Sequence, residues 1–137
     1  MERWEHYEDP AGLGVRGYGD TEADAFEQAA LALTAAMADP ANVAPTERVV
    51  IQCEAPDEDQ LLACWLEAVR RKMASSRMLF SRFEVWLDGS RLTAHAWGEP
   101  LSRERHHLRL RLKGARPETP RVARHADGWL AQAVMDY

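Results

Sequence analysis

Six residues near the start of the chain, GLGVRG from Gly12 to Gly17, match the G-x-G-x-x-G spacing of dinucleotide-binding loops. In those loops a buried strand delivers the glycines to the N-terminus of a helix, where backbone N–H groups bind a pyrophosphate. Here the preceding residues, Arg3 to Pro10, are too polar for the central strand of a parallel sheet. The next helix signal, at Thr21, lies four residues beyond the last glycine, and no acidic ribose partner follows at the usual distance. We therefore do not expect a nucleotide site here.

Other residue types with catalytic or metal-binding chemistry lack partners at the required spacing. No two of the C-terminal histidines have the i, i+4 helical spacing of a zinc pair, and no cysteine lies near them: His95, His106, His107 and His125. No serine lies in a nucleophile elbow. Glu99 would act as a general acid or base only with a converging group, so we expect it to order the loop after a strand. We predict no catalytic residue and a protein that is not an enzyme.

Composition indicates a single soluble domain over residues 1–137, with no metal or disulfide framework. Its 46% hydrophobic and 28% charged residues are ordinary for a globular protein. No apolar run approaches the roughly 20 residues needed to cross a bilayer. Cys53 and Cys64 form no C-x-x-C pair, and we expect two buried thiols in a reducing cytosol. Together these features predict a cytoplasmic protein without a membrane partner.

Charge is divided unevenly along the chain. Residues 1–68 carry three basic and fifteen acidic side chains, whereas residues 69–137 carry fourteen basic and seven acidic ones. Such asymmetry suggests either a surface for nucleic acid or internal salt bridges between the halves. Five basic residues on a predicted strand and the loop before it are the candidates for an RNA-binding face, or for its solvated alternative: Arg103, Arg105, Arg109, Arg111 and Lys113.

Two helices are well signalled. Thr21 and Asp24 have the spacing of a capping box, and an apolar face follows until Asp39-Pro40 ends the helix. The second helix starts near Asp57, where acidic residues favour the positive end of the helix dipole. The basic run from Arg70 to Lys72 suits its C-terminal end.

The rest of the chain alternates like strands. Predicted strands and hairpins cover residues 15–19, 47–55, 80–101, 108–113 and 120–137, with hairpin turns at Asp88-Gly89 and Asp127-Gly128. Trp65 and Trp97 fit the apolar pattern and are expected in the core, while Trp86 falls out of phase and should lie on the opposite sheet face. The fold class predicted is α+β, with a predominantly antiparallel or mixed sheet and two helices packed on one face.

The order of these segments resembles the archease family. The stretches that carry the resemblance are WEHYEDPAGLGVRGYGDTEADAFEQAALAL, LLACWLEAVRRKMASSRMLFSRFEV, AHAWGEPLSRERHHLRLRLKGA and GWLAQAVMDY, from about residue 4 to residue 137. The resemblance implies an accessory protein that promotes guanylylation and turnover of an RtcB-type RNA ligase in tRNA splicing and RNA repair. A chaperone-like role, such as a modulator of tRNA methylation, is the alternative. GTP and its divalent metal belong to the ligase.

The resemblance also implies a divalent metal site, typically for calcium, formed by a loop aspartate, the penultimate aspartate and the terminal residue. Asp136 and the Tyr137 carboxylate match two of these ligands, but Gly12 stands at the loop position. Asp9 is the possible substitute, on a loop stiffened by Pro10. Two oxygens fall short of the six to eight that calcium prefers. We expect no tightly bound ion.

Three positions are candidates for contact with a partner. His106 coincides with a spaced histidine of the family and is expected at the surface of a loop. Glu118 lies in Arg116-Pro117-Glu118, where the family usually carries Thr-Tyr-His, and Asp9 lies at the loop histidine of the family. These departures suggest a divergent member with a rewritten polar site.

Overall fold

The structure, a computed structural model, describes residues 2–137. Within them eight strands and three helices follow one another, with a short 3-10 turn at Pro40–Asn42: β1 Arg3–Asp9, β2 Gly12–Gly19, α1 Glu22–Met37, β3 Glu47–Glu54, α2 Glu58–Ser76, β4 Met78–Asp88, β5 Arg91–Pro100, α3 Arg103–His106, β6 Gly114–Ala115, β7 Arg121–His125 and β8 Gly128–Asp136. No helix in this part of the chain is long and apolar enough to cross a membrane.

The predicted helix starts are confirmed at the atomic level. The Thr21 hydroxyl accepts the Asp24 N–H at 3.1 Å, and the Asp24 carboxylate accepts the Thr21 N–H at 3.3 Å, which completes the capping box. At α2 the Asp57 carboxylate accepts the Gln60 N–H at 2.8 Å. The basic run Arg70–Lys72 lies in the C-terminal half of α2 but not in its last turn, because the helix continues to Ser76. The helix ends only where Arg77 adopts a left-handed conformation.

The strands form two antiparallel sheets rather than one. The first has the order β1-β2-β8-β6, with β7 also pairing with β8, and the second has the order β3-β5-β4. Both predicted hairpins are present. In the first, Asp88 pairs with Arg91, so the turn lies at Gly89-Ser90, one residue after its predicted position. In the second, His125 pairs with Gly128, so the turn lies at Ala126-Asp127, one residue before its predicted position.

The two long helices lie between the sheets, and each contacts strands of both. Trp65 of α2 is fully buried, and its indole N–H donates to the Phe26 carbonyl of α1 at 2.9 Å. The same indole ring meets Phe83 of β4 edge to face, with ring centroids 5.8 Å apart. The predicted α+β class with two main helices is confirmed. Each helix has apolar contacts on two sides because a second sheet covers it.

The glycines that imitate a nucleotide loop serve the packing of β2. All of them lie within a β-hairpin, with β1 as the outer strand, so no helix N-terminus faces them. At Gly17 a Cβ atom would overlap the backbone of α1 at Ala25 and Ala29. The small residues on both sides therefore allow α1 to lie directly against the sheet.

Two sequence-based expectations are wrong, one for Trp97 of β5 and one for residues 108–113. Trp97 is not in the core: it lies on the outer face of the sheet, where the Arg82 guanidinium stacks 4.4 Å from its ring centroid. Trp86 is 49% exposed on that same face, as predicted. The predicted strand over residues 108–113 is absent, and this segment runs extended beside α1 without strand pairing until β6.

Candidate functional site at the C-terminal tip

The turn between β1 and β2 lies beside the end of β8. Asp9 pairs with Gly12 across the turn, and Leu13 of β2 pairs with Met135 of β8. An open cleft of about 460 Å³ lies here, lined by Glu8, Asp9, Pro10, Gly12, Leu13 and Tyr137. The fold thus brings the loop and the last residues together, as the resemblance implies. We refer to this region as the C-terminal tip.

The backbone at the tip is closely packed around Gly12. A Cβ atom at this position would overlap the carbonyl oxygen of Met135 on the neighbouring strand. An aspartate at position 12 would therefore require the hairpin to move away from β8. Asp9 cannot substitute freely, because its Oδ1 accepts the Ala11 N–H at 2.9 Å and closes the turn.

A positively charged side chain lies where the family's ion would be expected. The Arg116 Nε donates to the Ala11 carbonyl at 3.2 Å, and its guanidinium lies 3.9 Å from the Asp136 carboxylate. A loop carbonyl and the Asp136 carboxylate, both oxygen donors that a divalent ion would need, are thus in contact with a cation of the protein itself. Within residues 2–137 no three His, Cys, Asp or Glu side chains are grouped to hold a metal. The residues at the tip do not fit a divalent ion.

Segment 116–119 is held on β8 by interactions that the sequence did not reveal. The Arg116 N–H donates to the Val134 carbonyl at 2.8 Å. The Thr119 hydroxyl accepts the Val134 N–H at 2.9 Å and donates to the Arg116 carbonyl at 2.7 Å. Glu118 lies exposed in this turn, close in sequence to the Arg116 contact with the loop. An Arg followed three residues later by a Thr is too common a sequence pattern to have predicted these hydrogen bonds.

His106, the third partner-contact candidate, lies away from the tip and inside the protein. It is 1% exposed, so the expectation of a surface histidine is wrong and its ring is not accessible to a partner. Its Nδ1 accepts the Ser102 N–H at 2.9 Å, which places the proton of the neutral ring on Nε2. That Nε2 lies 3.0 Å from the Glu99 carboxylate and can donate to it.

Glu99 is the centre of this buried cluster. Its carboxylate receives two N–H groups of Arg105, both at 2.8 Å, and the Ala44 N–H at 2.8 Å, besides the His106 ring. The Arg105 guanidinium first, then the Ala44 N–H and His106, hold the pKa of Glu99 at about 2. A carboxylate with so low a pKa is a poor general base, and it ties the loops after β5 and before β3 together. The sequence predicted this ordering role but not the converging partners.

Cys53 is also unsuited to nucleophilic chemistry. Cys53 is buried in β3, and Cys64 of α2 is partly buried beside it. Burial, with the neighbouring Cys64 thiol, raises the pKa of Cys53 to about 12. Because the thiolate is the reactive form, Cys53 is inert at neutral pH.

Fold and site together define a small α+β protein with a polar tip at the end of β8. The chain matches the model of the archease protein family (MTH1598/TM1083) over residues 4–137. It belongs to this family.

Relatives and solved structures agree over nearly the full length. Protein archease of Thermococcus gammatolerans is 38% identical over 141 residues, 99% of both chains, and that of Pyrococcus abyssi is 35% identical over 141 residues, again 99% of both. The solution structure of Methanobacterium thermoautotrophicum protein 1598 has a TM-score of 0.86 at 27% identity and 98% coverage of both chains. The crystal structure of a Thermotoga maritima archease, described as a possible chaperone, has a TM-score of 0.60 at 13% identity, covering 97% of this chain and 99% of that chain. At that identity it supports the fold alone.

Proposed function

We propose that this protein is a non-catalytic, cytoplasmic accessory protein that binds an RtcB-type RNA ligase and promotes its guanylylation and turnover. Membership of the archease family over residues 4–137 is the observation that carries the proposal. On this proposal the protein acts in tRNA splicing and RNA repair, and the ligase supplies GTP chemistry and its own metal.

The chemistry of the described residues supports a role without catalysis. The Glu99 carboxylate, with a pKa of about 2, accepts hydrogen bonds from four donor groups and holds the loops around it together. The contact candidates are instead at the C-terminal tip, where Glu118 is exposed and Asp9 is partly exposed. A partner that docks at the tip would meet a rigid surface, because the Thr119 hydroxyl accepts the Val134 N–H and so anchors the tip to β8.

The test is a guanylylation assay with the RtcB-type ligase of the same organism, GTP and manganese. We expect the protein, after treatment with chelator, to increase the rate of ligase guanylylation. Asp9→Ala and Glu118→Ala should reduce this increase. Asp127→Ala is the matched control, because Asp127 is an exposed carboxylate in the turn at the opposite end of β8.

An active ligase that is neither bound nor accelerated by folded protein would overturn the proposal. Binding with acceleration that is equally sensitive to Asp127→Ala would place the contact elsewhere on the surface. Protection of the ligase from aggregation, without faster guanylylation, would instead indicate a chaperone.

A further inference from the structure

A second groove, lined by other residues than the C-terminal tip, has no role in the proposed function. It lies between the C-terminal half of α2, the start of β4 and residues 101–112, and it has a volume of about 440 Å³. Arginines form its rim and aliphatic side chains its floor, so we call it the arginine-rimmed groove. Such a volume lies within the usual range for ligand sites.

The floor and one wall of the groove are aliphatic. Met73 and Met78 form part of the floor, and Leu101, Leu108 and Leu110 line the wall. Leu101 is 38% exposed and Leu108 is 41% exposed. Adjacent exposed leucines over methionines form an adaptable apolar surface of the kind that binds other proteins.

The rim is positively charged in a protein whose net charge is −5. Five arginines from three parts of the chain contribute to it: Arg70, Arg77, Arg103, Arg109 and Arg111. Arg70 is paired with Glu67, and Arg109 donates to the Ala35 carbonyl at 3.3 Å.

The other three arginines are available to a ligand. Arg77, Arg103 and Arg111 are exposed and have no ion-pair partner among residues 2–137. No acidic side chain lines the groove. A cluster of like charges held together by the fold is not neutralised within the chain and favours an anionic ligand.

The ligand must satisfy both the floor and the rim. Nucleic acid would use phosphates on the rim, but its bases stack on aromatic rings, and the groove lining contains none. Apolar side chains fit an aliphatic floor, and carboxylates accept paired N–H groups from arginine forks. An amphipathic helix presents such side chains at i, i+3, i+4 and i+7.

We infer that the arginine-rimmed groove binds an acidic amphipathic segment of a partner protein, with its leucine-like side chains on the floor and its carboxylates on the arginines. The inference stands on the groove alone and does not depend on the ligase. It also gives the basic half of the sequence a specific place in the fold.

The probe is a fluorescein-labelled peptide of about four helical turns, with leucine at the i, i+3, i+4 and i+7 positions and glutamate elsewhere. We expect saturable binding to the full chain by fluorescence anisotropy. Replacement of the glutamates by lysine, or of the leucines by serine, should weaken binding at least about tenfold. Binding should also weaken as salt is raised.

Variants locate the binding in the groove. The double variant Arg77→Glu, Arg111→Glu reverses two unpaired charges on the rim, and Leu108→Ser removes an exposed apolar contact. Each should weaken peptide binding at least about tenfold, one step of about 1.4 kcal/mol. Arg48→Glu, at an exposed arginine of β3 outside the groove, is the matched control and should leave binding unchanged. All changed residues are exposed, and circular dichroism checks that each variant is folded.

Three results would overturn the inference. The first is absence of peptide binding, and the second is binding that all variants leave unchanged. The third is that a mixed-sequence single-stranded RNA, or dodecanoate, binds more tightly than the peptide, competes with it, and fails to bind the rim variant. That result would assign the groove to nucleic acid or to an anionic lipid.

Discussion

Arg116 decides the chemistry of the C-terminal tip. An alignment of short motifs identifies the missing acidic ligand at Gly12 but cannot reveal that a guanidinium reaches Ala11 and Asp136 from a segment twenty residues before Asp136. Because arginine keeps its charge at any ordinary pH, it repels a second cation at this position. The glycine at position 12 and the Arg116 guanidinium therefore both disfavour the binding of a divalent ion at the tip.

We expect the melting temperature of the protein to be the same in millimolar calcium as in a chelator. Arg116→Ala should lower stability by no more than about 1 kcal/mol, since the pair with Asp136 is 3.9 Å long and roughly half exposed. Differential scanning fluorimetry measures both effects, with Arg121→Ala on β7 as an exposed control. A calcium-dependent rise in the melting temperature of the unaltered protein would show that an ion binds despite Arg116.

Glu27 links α1 to the second sheet through a partly buried carboxylate. Its side chain accepts the Val85 N–H of β4 at 2.8 Å. Burial raises the pKa of Glu27 to about 7, although the Val85 N–H opposes the shift. The folded protein therefore holds this proton more tightly than the unfolded chain, and the associated stability is present below about pH 4.5 and lost as the pH rises through 7.

Glu27→Gln should remove this pH dependence while the amide oxygen still accepts the Val85 N–H. Near pH 5 the variant and the original should differ little. Near pH 8 the variant should be more stable than the original protein by about 1–2 kcal/mol more than it is near pH 5, after allowance for solvent screening of a partly exposed group. Urea unfolding at the two pH values measures the change, and Glu118→Gln serves as an exposed control. An unchanged difference between the two pH values would contradict the assignment.

Among the elements, the segment between α3 and β6 differs most from its predicted structure. Its alternating leucines and basic residues have the period of a strand, yet residues 108–113 are not paired as a strand. The Arg109 N–H instead donates to the Met37 carbonyl at 2.8 Å, and the Leu110 N–H to the Ala36 carbonyl at 3.3 Å. These carbonyls belong to the last turn of α1, where helices leave acceptors unpaired. The segment therefore completes a helix end rather than a sheet.

This arrangement distinguishes two leucines that the sequence pattern treats as equivalent. Leu112 is 5% exposed and packs in the core, whereas Leu108 is 41% exposed. Leu112→Ala should reduce the free energy of unfolding by about 2–4 kcal/mol through lost burial and a cavity. Leu108→Ala should change it by less than about 0.5 kcal/mol. Equal losses in chemical denaturation would indicate that the segment is a paired strand with both leucines on one buried face.

For the whole molecule, the position of α1 between two sheets makes the fold cooperative. Its alanines lie close against β2. The Thr34 hydroxyl donates to the Phe80 carbonyl of β4 at 2.8 Å, and the Phe26 carbonyl accepts the Trp65 indole N–H of α2. Neither sheet can separate without exposing this helix. The segment around Arg109, by contrast, is held mainly by two backbone hydrogen bonds at the surface.

We therefore expect two classes of amide in native-state hydrogen exchange. Amides of Ala29 and Leu33 should exchange only through global unfolding, with the denaturant dependence of the whole chain. Amides of Arg109 and Leu110 should exchange through local opening with little denaturant dependence. Equal protection of all four amides would mean that the segment unfolds with the core.

Much of the architecture follows from local chemistry and can be predicted from the sequence. Thr21 and Asp24 specify a helix start through two hydrogen bonds within four residues. Asp88-Gly89 predicts a hairpin in the same local way, although the turn itself lies one residue later, at Gly89-Ser90. The family resemblance added the closeness of Asp9 and the last residues, which line one cleft because β2 pairs with both β1 and β8. The exposure of Trp86 followed from the period of a single strand.

Interactions between distant segments were decided only by tertiary structure. Gly12 and Met135, Arg116 and Ala11, and Glu99 and Ala44 meet because strands far apart in sequence are paired. His106 is buried and Trp97 partly exposed because a side chain's surroundings depend on which layer covers it. Alternation of apolar and polar residues does not encode the division into two sheets. The arginine-rimmed groove likewise exists only where α2, β4 and residues 101–112 converge. Local propensity acts over a few residues, whereas charge and burial act through space.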